Sequence, residues 1–208
     1  MSVIDALTWR YAVREFSNKE IPAQDIHELA DATRLTASSY GLQPYKLVVV
    51  ESREMREALL PHAMGQTKVL DSSHLFILAS NNEIDDHFIE QYFAMTARVR
   101  GVDPQSVAGF KQHVKDVILG MPKGGRKQWA DQQAFIALGN LLTVAALKGI
   151  DACPMGGFDA EGFDEVLGLK DKGLRSCVIC ALGYRSEYDS SAQAKKIRVD
   201  FDNFMLRV

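Results

Sequence analysis

Between Ala134 and Leu147 the sequence reads AFIALGNLLTVAAL, apolar on nearly every face of a helix and interrupted only by Gly139, Asn140 and Thr143. A helix that is hydrophobic all round must be buried all round. This one falls short of the ~20 residues needed to cross a bilayer. Two arrangements would cover it: a second copy of the chain packed along it, with Gly139 and Ala145 allowing close approach, or a central position in a monomer. A chain of 208 residues with 47% hydrophobic content builds one good core. The homodimer is therefore the expected solution.

The rest of the chain alternates between helical and strand-like segments. SVIDALTWR has helical spacing, with Val3, Ile4 and Leu7 on one face, and IPAQDIHELADATRLT enters a helix at Pro22 and repeats Ile26, Leu29, Ala30 and Thr33. ASSYGLQPY is rich in turn formers. KLVVVES, SHLFILAS and CVICALGYRS have the length and composition of strands. DDHFIEQYFAMTARVRG and DPQSVAGFKQHVKDVILG read as two helices separated by Gly101 and Asp103-Pro104. The expectation is a single α+β domain over residues 1–208, with a helical insertion at about 85–125 as a lid or dimer arm. GMPKGGRK lacks phosphate-loop spacing and reads as a loop before the long helix.

Composition excludes several classes. Net charge is −3, which argues against a nucleic-acid or anionic-membrane partner. Cys177 and Cys180 have C-x-x-C spacing, but strand residues three apart point to opposite faces, so they read as core filler. Free thiols and the lack of a signal-like N-terminus predict a cytoplasmic protein. His27, His62, His74, His87 and His113 show no metal-ligand spacing, so no metal site is expected.

What remains is a set of groups suited to an anion and a flat ligand. Arg10 and Arg14 would share a face if the first helix continued through them. Lys196 and Arg198 point the same way in an extended tail. Ser38 and Ser39 sit in a turn, and CPMGGFD can run its backbone close to a planar group. With no nucleophile, metal site or dinucleotide fingerprint, the pattern favours a phosphate-bearing cofactor that performs the chemistry itself.

The chain resembles the flavin-dependent nitroreductases, specifically the oxygen-insensitive NAD(P)H nitroreductase and dihydropteridine reductase group. WRYAVREF, TASSYGLQPYKLVVVES, GQTKVLDSSH, WADQQAFIALGNLLTVAALKGIDACPMGGFD and the KKIR tail carry the likeness, in order, along nearly the full length. The resemblance implies a nitroreductase-like FMN-binding fold: a central mixed, mostly antiparallel sheet flanked by helices in an intertwined homodimer. It implies FMN held by Arg10 at the phosphate and Arg14 at the pyrimidine edge, with Tyr11 and Ala12 between them. Ala12 replaces the family's usual hydroxyl residue. Ser38 and Ser39 would reach FMN across the dimer interface, and Gln66 and Lys68 would lie near the ring carbonyls and ribityl chain. Pro154, Met155, Gly156 and Gly157 would lie against the ring, with the Gly156 N–H near N5, where relatives often carry glutamate. Lys196 and Arg198 would clamp the phosphate.

The same resemblance implies NAD(P)H as reductant and ping-pong hydride transfer through flavin N5 to nitroaromatics, quinones or related acceptors, with no catalytic side chain. A same-fold reductase of a pteridine, an enone or free flavin stays open, as does a flavin-binding protein without turnover. Phe88, Tyr92, Phe93 and Phe110 of the insertion could form an aromatic lid selecting planar substrates or could simply pack their helices.

Overall fold

The computed structural model describes all 208 residues, Met1–Val208. Its core is a four-stranded sheet of β1 (Tyr45–Val50), β2 (His74–Asn81), β3 (Asp151–Met155) and β4 (Leu174–Gly183), in the order β1-β2-β4-β3 with every pair antiparallel. A single parallel bridge, Ala12 to Ala152, lays the N-terminal segment along the outer edge of β3, and Phe16 bridges Arg185. These contacts make the sheet mixed at one edge and bring residues 10–16 beside β3.

Helices α2 (Ala23–Arg34) and α7 (Lys123–Leu147) cover one face of the sheet. The short helices α3 (Arg53–Leu59), α4 (Lys68–Asp71) and α8 (Ala160–Val166) lie on the other. Strand alternation divides the core: Phe76, Leu78 and Leu182 face α7, while Leu75, Ile77 and Ala181 face the opposite layer. α5 (Asp86–Arg100) and α6 (Ala108–Leu119) form a third cluster with Trp129 and Ala130 of α7. Gly101 stops α5 in the left-handed conformation, φ 63°, and Asp103 caps the turn that precedes α6. α9 (Phe201–Phe204) lies in the exposed C-terminal tail.

Four expectations change. α1 (Val3–Trp9) ends before Arg10, whose ψ of 141° is extended, so Arg10 and Arg14 share a bridged strand-like segment rather than a helix face. α7 begins at Lys123, because Pro122 supplies a preset N-cap conformation, and KGGRK forms its first turns rather than a loop. DACPM is a strand that its proline disguised; β3 lies at the end of the strand order, where a missing N–H is tolerated. A bulge between Leu78 and Ala79 leaves Cys177 without a ladder partner, so Cys177 and Cys180 both pack toward α7 instead of to opposite faces.

The long helix is not covered all round within one chain. Phe135 and Ile136 are each 51% exposed, and a Cβ added at Gly139 would meet nothing within 4 Å. α1 packs beside α7 and leaves Val3, Ile4 and Leu7 exposed as well, burying only Ala6.

At the start of β3, Asp151 is 3% exposed and carries a bidentate pair with Arg185, Nη2 to Oδ1 at 2.6 Å and Nε to Oδ2 at 3.0 Å. It also accepts the Arg185 backbone N–H at 2.8 Å. The guanidinium in turn lies 4.2 Å from the Trp9 ring centroid and 4.5 Å from that of Tyr11. Removing the carboxylate leaves a largely buried cation unpaired. Asp151→Ala should cost about 3 kcal/mol, the low end for a broken buried pair because Arg185 keeps some solvent. Urea denaturation checks it.

Candidate functional site

Both ends of the chain line one cavity of about 560 Å³, within the size range of small-molecule sites. Thr8 to Ala12 and Arg14 form one wall; Ser191, Ala192, Ala194, Lys196, Ile197 and Arg198 form the other. Arg10, Arg14, Lys196 and Arg198 are all among its lining residues, and no carboxylate is.

The cations are short of acceptors. Arg10 Nε is buried with no hydrogen-bond partner. Arg198 donates only to the carbonyl of Ile197 beside it. Lys196 Nζ donates to the carbonyls of Leu7 and Arg10, which ties the tail to the C-terminal end of α1. Burial and then the neighbouring charges of Arg10 and Arg198 push the Lys196 ammonium pKa below its ordinary value. An incoming phosphate dianion would reverse that repulsion and satisfy the buried guanidinium nitrogen.

One carboxylate that sequence reasoning missed assembles this wall. Asp189, 3% exposed, accepts from the backbone N–H of Arg14 at 2.9 Å, Glu15 at 3.3 Å and Ser191 at 3.0 Å, and from the Tyr11 hydroxyl at 3.0 Å. DSSAQ is legible as a capped turn, but its reach to residue 14 is not local and left no trace in the sequence. Burial raises the Asp189 pKa, yet the bonds from Arg14, Ser191, Glu15 and Tyr11 outweigh it and hold the group below the usual carboxylate range. Burial first, and then the Asp189 bond, raises the Tyr11 phenol.

A second feature stands at the end of β3, outside the residues that line this cavity. Pro154 is half-buried and Met155 buried, while Gly156 and Gly157 are exposed with open space where a Cβ would be. A flat group can therefore approach this backbone closely. Lys68 is near enough that its charge bears, with those of Arg10 and Arg14, on the Cys153 thiol; burial dominates and pushes that thiol up. Gln66 spends its amide on backbone, donating to the Gly157 carbonyl at 2.6 Å and that of Ala63 at 3.1 Å.

Ser38 and Ser39 do not join this group. The Ser39 N–H donates to Gln133 Oε1 at 2.8 Å and Ser38 Oγ accepts from Gln43 N at 3.0 Å, so both brace the turn before β1. That turn is tight: Tyr40 has φ 55°, and a Cβ at Gly41 would fall 2.4 Å from the Tyr92 hydroxyl.

Comparison with known proteins gives this arrangement a family. Residues 7–184 match the model of the Nitroreductase family, and the chain belongs to that family. A candidate NAD(P)H nitroreductase of Staphylococcus haemolyticus is 32% identical over 200 residues, covering 89% of each chain. A candidate nitroreductase of Bacillus subtilis has the same fold, with a TM-score of 0.87 at 21% identity over 99% of this chain and 98% of its own. A candidate nitroreductase of Exiguobacterium sibiricum, solved in complex with FMN, gives a TM-score of 0.84 at 20% identity over 100% and 98%. The protein is thus an oxidoreductase of the nitroreductase type.

The native pKa of Asp189 lies below the unfolded value of about 3.9, so its contribution is complete above that value and is lost as pH falls through the native one. The Asp189 contribution should stay level from neutrality to about pH 5 and decline below about pH 4. Half-buried His74, whose pKa is lowered by burial, should already cost some stability as pH falls through about 6.5. Asp189→Asn should lower stability at neutral pH by about 1.5–3 kcal/mol and flatten part of the acid slope. Urea titrations at stepped pH check both.

Proposed function

We propose that the protein is an FMN-dependent NAD(P)H oxidoreductase that passes hydride to planar acceptors such as nitroaromatics and quinones. The observation that carries this reading is the four-cation cavity, with no lining carboxylate and an unpartnered buried Arg10 nitrogen, beside the open Gly156–Gly157 turn. The S. haemolyticus relative carries an NAD(P)H nitroreductase name, and the E. sibiricum structure is a complex with FMN. When bound, the flavin supplies the hydride acceptor and donor that no side chain provides.

The chain's own residues bind and orient. Arg10, Arg198 and Lys196 hold the phosphate, and Arg14 and Lys68 turn cations toward the ring system. Tyr11 and Ala12 form wall, with Ala12 contributing backbone only. Pro154 and Met155 bring the strand to the ring, and the Gly156 N–H faces N5. Gln66 acts on the turn through the Gly157 carbonyl. Ser38 and Ser39, braced elsewhere in the chain, serve the cavity of a second copy. The exposed apolar residues of α1 and α7, and Ile197, Phe201 and Phe204 of the tail, support a homodimer in which the tail lies on the partner. The arm of α5 and α6 serves as the lid: Phe110, 53% exposed, lies with its ring centroid 6.1 Å from that of Tyr40.

Purified protein should be yellow and should bleach on anaerobic mixing with NADH or NADPH; colourless protein that takes up no FMN defeats the reading. Arg10→Ala or Arg198→Ala should each weaken FMN binding by about 1.5–3 kcal/mol, roughly ten- to a hundredfold. Fluorescence titration reads this, and unchanged affinity removes those residues from the phosphate site. Gly139→Trp, at a position open within the single chain, should split the dimer in sedimentation while leaving the monomer folded. An intact dimer would place the interface elsewhere.

A further inference from the structure

The turn at the end of β3 is fastened to a second segment, residues 62–66, by a set of contacts that the phosphate grip does not require. The Asp159 N–H donates to the His62 carbonyl at 2.8 Å. His62 Nδ1 lies 2.9 Å from Asp159 Oδ2, while Asp159 Oδ1 accepts the Gly162 N–H at 3.2 Å and so caps α8. Gln66 adds its bond to the Gly157 carbonyl. The His62 ring also presses on α8: a Cβ at Gly162 would fall 1.9 Å from Nδ1, so no side chain fits under the imidazole. The His62 bond, followed by that of Gly162, holds the Asp159 carboxyl below its usual range.

We propose that His62 is a positioning residue: its bond to Asp159, with the Gln66 bond to Gly157, sets the Gly156–Gly157 turn and so tunes the electronics of the flavin that the turn faces. This rests on the FMN reading above. Asp159 is both the anchor of His62 and the N-cap of α8. Residues Gly156 to Phe158 are the whole connection between Met155 of β3 and that anchor. With Met155 fixed in the ladder and Asp159 fixed by His62, the connection has little freedom left, which exposed glycines alone would not ensure.

A phosphate contact and a ring contact leave different signatures. The phosphate is the same in oxidised and reduced FMN, so Arg10→Ala should weaken both states alike and leave the midpoint potential in place. N5 changes from acceptor to donor on reduction, so disturbing the turn should alter the two affinities unequally.

The test uses full-length protein carrying His62→Ala, His62→Asn or Gly162→Ala. Asparagine keeps a side-chain N–H near the position of Nδ1; alanine at 162 forces the ring away from Asp159. Hydrogen–deuterium exchange of the FMN-free protein should be about tenfold faster over residues 156–163 in His62→Ala and Gly162→Ala, and near wild type in His62→Asn. In the FMN-loaded proteins the ratio of oxidised to reduced affinity should change by about three- to tenfold in the first two, a midpoint shift of about 15–30 mV. His62→Asn should restore it. Unaltered exchange and potential in His62→Ala would overturn the proposal. So would equal damage from alanine and asparagine, which would make the ring a packing element only. If no variant or parent takes up FMN, the functional reading fails separately, and the exchange comparison still decides whether His62 holds the turn.

Discussion

Two buried carboxylates hold the site together before any ligand arrives. Asp151 locks Arg185 behind Trp9 and Tyr11, and Asp189 gathers the backbone of Arg14, Glu15 and Ser191 with the Tyr11 hydroxyl. Each is satisfied several times over, which is the condition under which a buried charge stabilises rather than costs. Between them they fasten residues 9–15 and 185–191 to the outer edge of the sheet. They act with the Ala12–Ala152 and Phe16–Arg185 bridges, which lay the N-terminal segment beside β3 and bring the cations at residues 10 and 14 near those at 196 and 198.

That arrangement gathers like charge in a mildly acidic chain. Four cations share one cavity, and burial followed by the charges of Arg10 and Arg198 lowers the pKa of Lys196. Repulsion of this kind is an expense folded into the free protein, and it makes the cavity selective for a dianion over a neutral ligand of the same shape. Lys196 moderates the repulsion by bonding the carbonyls at the end of α1, which also anchors an otherwise exposed tail. An anion therefore does two things at once: it relieves the charges and reinforces the meeting of the two ends.

Periodicity exposed α1, α2, α5, α6, α7 and three of the four strands because their apolar residues repeat, whereas the short helices α3, α4, α8 and α9 went unread. The convergence of Arg10 and Arg14 with Lys196 and Arg198 was legible too, though through the family likeness and not through a helix face, since α1 stops at Trp9. What stayed hidden has particular causes. β3 is short, lies at an end of the strand order and contains Pro154, so it reads as a loop. The bulge at Cys177 shifts a period of two by one, and only pairing with β2 reveals it. Asp151, Asp189 and His62 act across separations that no local pattern records. Ser38 and Ser39 carried a family role, whereas within one chain their bonds are local and structural.

The cation cavity and the glycine turn after β3 are held by unrelated devices, and this separates two properties of the site. Charge at the ends of the chain is fixed by Asp151 and Asp189, and on the proposed reading it would govern how tightly a phosphate-bearing group is kept. The glycine turn after β3 is fixed by His62, Asp159 and Gln66, and on the proposed reading it would govern what that group's ring experiences. Because the anchors share no hydrogen bond, a substitution in one set should leave the other's geometry in place, and effects of the two should add. Gly156 fits this division: it leaves open backbone with nothing within 4 Å of where a Cβ would be.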